Sequence, residues 1–250
     1  MKKYSFLAAI LCLLAGQSHA QLRDFGTART LSGTVFVYNI FIAEPGNPWK
    51  MNEKKAMLKK SELAHKWLIQ RAAKLGKPLT FIEESNINSR DVIVAKIPGY
   101  GNYSSNIVND AVKLSGFKSN RQFKKWAQDH VAFDSILVAV YANKSGRSYA
   151  EPSSKDIEGF LVYKTFEGSY ETASTIAHET LHCFGAIDLY SDPTFSLQYN
   201  QNAERANQLW PNDIMHEVPY SFSSVRLGPL SSWLVGIGNH DPAFDRFKPR

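Results

Sequence analysis

The residues best placed to do chemistry are His178-Glu179-Thr180-Leu181-His182. Two histidines four apart in a helix lie one above the other, because four residues turn the chain through about 400°. Both imidazoles then reach one ion, and zinc suits such a pair at about 2.0–2.1 Å. Glu179 stands about 100° round the helix from His178, beside the ion rather than on it, where a general base for an activated water belongs. A catalytic zinc takes three protein ligands and keeps one position open, so a third donor is required. Gly185, three residues after His182, stops the helix, and its sharp turn can bring Asp188 back to the ion. The full run His178-Glu179-x-x-His182-x-x-Gly185-x-x-Asp188 arises by chance in on the order of one chain in tens of thousands.

From this run the chain resembles the metzincin clan of zinc metallopeptidases. Most of that clan has a third histidine at the last position; aspartate there resembles the snapalysin-type variant. The resemblance implies Zn2+ held by His178, His182 and Asp188, with Glu179 catalytic. It also implies a methionine turn beneath the metal. Asn212-Asp213-Ile214-Met215-His216 follows Asp188, and Met215 matches the methionine, a soft apolar floor that keeps the site rigid. Leu227-Gly228-Pro229-Leu230 and Trp233-Leu234-Val235-Gly236 are similar to the closing helix of such domains. Some relatives place a tyrosine two residues beyond the methionine, where Glu217 stands; Tyr220 or His216 is the alternative source of that hydrogen bond. Gluzincin-type peptidases take the third ligand from a glutamate on a later helix, which would be Glu204, but the turn at Gly185 would then have no purpose. The resemblance spans about residues 171–236.

These groups need a scaffold. Thr34–Ile42 reads as a strand, rich in β-branched and aromatic residues. From about Pro48 to Leu75 the recurrence of Met57, Ala64, Leu68, Ala72 and Leu75 predicts a long helix, with Lys55, Lys59, Lys66 and Lys74 on a solvated face. Further strands are expected at Leu79–Ile82, Val92–Ile97, Ser135–Tyr141 and Gly159–Tyr163. Short helices are expected at Ile107–Leu114, Arg121–Val131 and Leu230–Val235. Glu171–Phe184 forms the active-site helix, buried through Ala173, Ala177, Leu181 and Phe184. Residues 21–32 read as a polar arm, Asn143–Ser154 and most of Tyr190–Asn212 as loop, and Gly238–Arg250 as loose. Interleaved strands and helices imply an α+β (mixed α/β) fold. The resemblance implies two lobes in one catalytic domain: a twisted mixed sheet with a backing helix and the active-site helix to Gly185, then a small lower lobe with the methionine turn.

Composition sets the outer limits. The chain has 250 residues, 44% hydrophobic and 21% charged, which excludes disordered, collagen-like and coiled-coil classes. Residues 1–20 read as an export signal: Lys2 and Lys3, an apolar run from Leu7 to Ala15, and Ser18-His19-Ala20 before Gln21. That run is too short to span a bilayer. Without the signal, 27 basic against 23 acidic residues leave +4, which demands neither nucleic acid nor an anionic membrane. Cys183 remains as the single cysteine and reads as buried filler. The expectation is a secreted or periplasmic, monomeric zinc endopeptidase acting on protein or peptide. The alternatives are a zinc-containing binding or adhesion module without catalysis, and a zinc hydrolase of non-protein amides such as cell-wall peptides.

Overall fold

Residues 33–43 carry apolar, β-branched and aromatic side chains at most positions, a run suited to a strand covered on both faces. The computed structural model describes residues 26–99, 106–151, 157–216 and 221–247, and in it this run is the central strand β1 (Gly33–Ala43). Alternation divides its side chains between two cores. Val35, Val37, Phe41 and Ala43 enter one; Phe36, Ile40 and Ile42 enter the other. The chain continues as α1 (Met51–Lys74), β2 (Leu79–Ser85), β3 (Val92–Ile93), α2 (Ile107–Leu114) and α3 (Asn120–His130). Next come β4 (Ser135–Ser145), β5 (Tyr149–Glu151), β6 (Glu158–Phe166) and β7 (Ser169–Tyr170). Three helices follow: α4 (Ala173–Cys183), α5 (Leu197–Leu209) and α6 (Pro229–Leu234).

β1 pairs in parallel with β2, β3 and β4, and β4 pairs in parallel with β6. Parallel neighbours need crossovers, and α1 and the α2–α3 pair supply two of them. β5 and β7 join β6 antiparallel, so the order is β2-β1-β4-β6-β5 with an antiparallel edge. This is a mixed α+β fold. α1 and α4 cover one face of the sheet through Met57, Trp67, Leu68, Ile176, Ala177 and Leu181. α2 and α3 cover the other through Val108, Ala111, Val112, Phe123 and Ala127. The first core runs on without a break into Ile214, Met215, Leu230, Trp233 and Leu234, so the segment after Gly185 shares an interior with the sheet.

Several local expectations are corrected. Residues 190–212 are not mostly loop: α5 stands there, capped by Ser196 Oγ, which accepts the Tyr199 N–H at 3.2 Å. Only Ala203 and Ala206 of α5 are buried, so the helix has almost no apolar stripe to read. β4 runs on to Ser145 and β5 follows, where a plain loop was expected. The strand expected over Val92–Ile97 pairs only at Val92–Ile93. In the supposed arm, Ala28 and Leu31 are buried. The Thr27 and Ala28 N–H groups donate to the buried Glu158 carboxylate, and the Leu31 N–H donates to the Val235 carbonyl at 2.9 Å. Nor is the tail loose up to residue 247: Pro242–Phe247 is a 3-10 turn whose Phe244 and Phe247 pack on Trp210. Leu75 is exposed because it caps α1 instead of continuing its stripe. Lys55, Lys59, Lys66 and Lys74 are all exposed, as expected. No helix among the described residues is long and apolar enough to cross a membrane. The signal segment 1–20, Glu217 and Tyr220 lie outside the described residues.

Candidate metal centre

Helix α4 is fixed before its histidines are reached. Thr172 Oγ1 caps it, accepting the Thr175 N–H at 3.3 Å. The buried Glu171 ties it to the sheet edge: its carboxylate accepts from Thr175 Oγ1 at 2.7 Å and from Ser148 Oγ at 2.8 Å. Ala177 and Leu181 then press one face of α4 into the core, which leaves His178 and His182 on another. At its end, Gly185 adopts a left-handed backbone with φ +104°, and the Ala186 N–H closes back on the Leu181 carbonyl at 3.0 Å. A residue with a Cβ would be strained at that φ. This turn carries the chain to Asp188.

The imidazole orientations follow from their backbone partners. His178 Nδ1 lies 3.0 Å from the Ile214 carbonyl and His182 Nδ1 lies 2.9 Å from the Ala186 carbonyl. A carbonyl only accepts, so each Nδ1 carries a proton and each ring directs its Nε2 the other way, where it offers a lone pair once that nitrogen is unprotonated. Those Nε2 atoms converge. Nε2 to Nε2 is 3.1 Å, and Asp188 Oδ1 sits 3.2 Å from His178 Nε2 and 3.0 Å from His182 Nε2. Ligands about 2.0–2.1 Å from a tetrahedral ion are about 3.3–3.4 Å apart, so the three atoms are spaced to fit zinc with little movement. Among the described residues, His178, His182 and Asp188 are the group of three so gathered.

The field at this point draws in positive charge. Burial works against a protonated His182, but the neighbouring Asp188 carboxylate outweighs it and pushes its pKa up to about 9. Burial would raise Asp188, yet the charges and hydrogen bonds of the two histidines hold it far below the usual carboxylate range. Glu179 is buried, which raises its pKa; His178 and His182 oppose the rise. Its Oε2 has no hydrogen-bond partner among the described residues.

Three side chains outside the motif complete the surroundings. Tyr190 Oη donates to Asp188 Oδ2 at 3.0 Å and accepts from an Arg147 guanidinium nitrogen at 2.6 Å. Tyr199 Oη, on α5, donates to the Asp188 carbonyl at 2.6 Å. Burial raises the pKa of both phenols, with Asp188 adding to the effect, so both remain donors. The sequence reading missed all three. Tyr190 had one available signal, its place two residues beyond Asp188 in a turn; Arg147 and Tyr199 had none.

Met215 is fully buried in the core that α4 presses into. Its turn is built by the buried Asp213, whose carboxylate accepts the Met215 and Gly228 N–H groups at 3.0 Å each. The Met215 carbonyl accepts the Leu189 N–H at 2.8 Å, so the turn grips the chain beside both His178 and Asp188. Glu204 is not part of the convergence. It is exposed on α5 and lines a cavity of about 540 Å³ together with Tyr190, Asp213 and His216. His216 is buried, and its Nε2 has no hydrogen-bond partner among the described residues. Cys183 is buried in the core. His65 pairs with Glu83, and His130 and His240 lie away from the site, bonded to the Trp126 carbonyl and to Asp245.

No known protein family matches the chain, and no curated protein sequence matches it, so the functional reading rests on the site itself.

Proposed function

We propose that the chain is an exported, monomeric zinc endopeptidase of metzincin type. His178, His182 and Asp188 would hold Zn2+, Glu179 would be the general base, and the methionine turn at Met215 would be the floor of the site. One observation carries this reading: three atoms able to ligate a metal, two imidazole Nε2 and one carboxylate oxygen, meet 3.0–3.2 Å apart beside a buried glutamate. Zinc in that position supplies Lewis acidity, polarising the scissile carbonyl and bringing the pKa of a water towards neutrality. Glu179 takes the proton of the attacking water and hands it to the leaving amine. Burial raises its pKa, which makes its carboxylate a stronger base towards the proton of that water. An extended peptide would pair with the antiparallel edge strand β5, which packs against α4. Export is inferred from the signal in residues 1–20.

The test is cleavage of a mixed peptide library by residues 21–250, run beside Glu179→Ala. Cuts by the wild type alone, with zinc bound to both proteins, support the assignment. No cuts by either, zinc still bound, would favour a binding module or a non-protein amide as substrate. Equal cutting by both would remove Glu179 from the mechanism.

A further inference from the structure

We infer that Arg147 and Tyr190 are positioning residues that select which oxygen of Asp188 faces the two histidines, an inference that rests on the metal-site reading above. A carboxylate can offer a metal one oxygen or both, and it swings between the two modes unless the second oxygen is engaged elsewhere. Here the second oxygen is engaged. Tyr190 Oη has one proton, and it is committed to Asp188 Oδ2 at 3.0 Å, while Oδ1 faces the imidazoles. The phenol oxygen also accepts from Arg147 at 2.6 Å, and the guanidinium lies 5.4 Å from the centre of the same ring. A charged donor on the phenol oxygen polarises its O–H and strengthens the bond it gives.

Arg147 can impose a position because its own turn is clamped. It lies between β4 and β5, beside Gly146 and Ser148. A side chain at Gly146 would run into the Tyr163 ring, and the Gly146 N–H donates to the Thr165 carbonyl at 3.0 Å. Ser148 Oγ donates to Glu171 Oε1, the same carboxylate that holds the start of α4. The turn is therefore bound to the helix that bears the histidines on one side and, through Tyr190, to Asp188 on the other. All three candidate ligands are thereby tied by hydrogen bonds to one turn at the sheet edge.

The experiment measures zinc affinity by competition with a chromophoric chelator, together with the visible spectrum of the cobalt(II)-loaded protein. It uses wild type, Tyr190→Phe, Arg147→Met and Arg147→Lys, with the melting temperature of each metal-free protein as the folding control. Tyr190→Phe is expected to lose about 10–100-fold in affinity, the usual range for removing a partner of a ligand. Arg147→Met loses less, because the phenol can still donate, and Arg147→Lys recovers part of that loss. The cobalt bands shift in Tyr190→Phe and Arg147→Met, which a merely structural role would not cause. Wild-type affinity and spectrum in Tyr190→Phe would overturn the inference, even if turnover were lost, since the phenol would then act on substrate. A wild type that binds no zinc would instead overturn the metal-site reading, and the positioning role with it.

Discussion

Two largely buried clusters in this molecule each combine histidine with a carboxylate, and they are organised in opposite ways. Under α1, Glu83 receives donors: His65 at 2.6 Å on one oxygen, and Ser61 Oγ at 2.8 Å and Asn39 Nδ2 at 3.1 Å on the other. His65 is stacked on Phe81, with ring centres 4.0 Å apart. At the end of α4, by contrast, both imidazoles spend their Nδ1–H groups on backbone carbonyls and turn both Nε2 atoms towards one carboxylate oxygen. Donors meeting an acceptor make a closed network that fastens a helix to a sheet. Acceptors meeting acceptors are stable only around a positive charge, whether a proton or a metal ion. Histidine and carboxylate content is common to both clusters, so what separates them is what each ring nitrogen meets.

That contrast breaks most visibly on substitution of the histidines. His178→Ala or His182→Ala should abolish zinc binding measured by metal analysis, whereas His65→Ala should keep one zinc per chain. Asp188→Ala should lose more affinity than the about 10–100-fold of an outer partner, and Glu204→Ala should lose none. Zinc retained by His178→Ala would show that the two clusters do not differ in the way described.

The Glu83 cluster should respond in stability instead. Glu83→Gln is expected to cost about 2 kcal/mol, a value reduced from that of a fully buried pair because the carboxylate is partly exposed. For a domain of this size that lowers Tm by roughly 4–8 °C, with zinc affinity unchanged. The sign of its pH dependence is fixed. Burial raises the Glu83 pKa, but His65 and its other donors outweigh that and leave it below the usual 4.5. Its stabilisation is then complete above 4.5 and is lost as pH falls through the depressed folded value. Glu83→Gln should flatten that acid-side loss in thermal melts. The smallest effect belongs to the α4 cap: Thr172→Ala should cost about 1 kcal/mol by the same melts.

The two clusters also differ in how far the sequence revealed them. The site motif lies within eleven consecutive residues, and helical geometry alone places His178, Glu179 and His182. Gly185 marks the turn that follows. Glu83, His65, Ser61 and Asn39 come from three separate elements, and nothing local links them. The same division holds for the fold. β1, α1, α2, β4 and α6 carry strong apolar patterns and were legible to within a few residues. α5 buries only two alanines and has an exposed Leu197 at its start, so its helix is stabilised by a serine cap and by Tyr199 and Asn200 reaching back to the Asp188 loop and to Asp192. Neither kind of contact leaves a periodic trace. The packed stretch at Thr27–Leu31 was hidden because the Thr27 hydroxyl and the Thr27 and Ala28 N–H groups meet a buried glutamate from a strand that lies far along the chain.

The most direct test of the central claim is anomalous diffraction at the zinc edge from crystals of residues 21–250 grown with equimolar zinc. The account predicts one strong peak about 2.0–2.1 Å from His178 Nε2, His182 Nε2 and Asp188 Oδ1. A peak at another group of residues, such as the cavity between Glu204 and His216, or no peak at the end of α4, would contradict it.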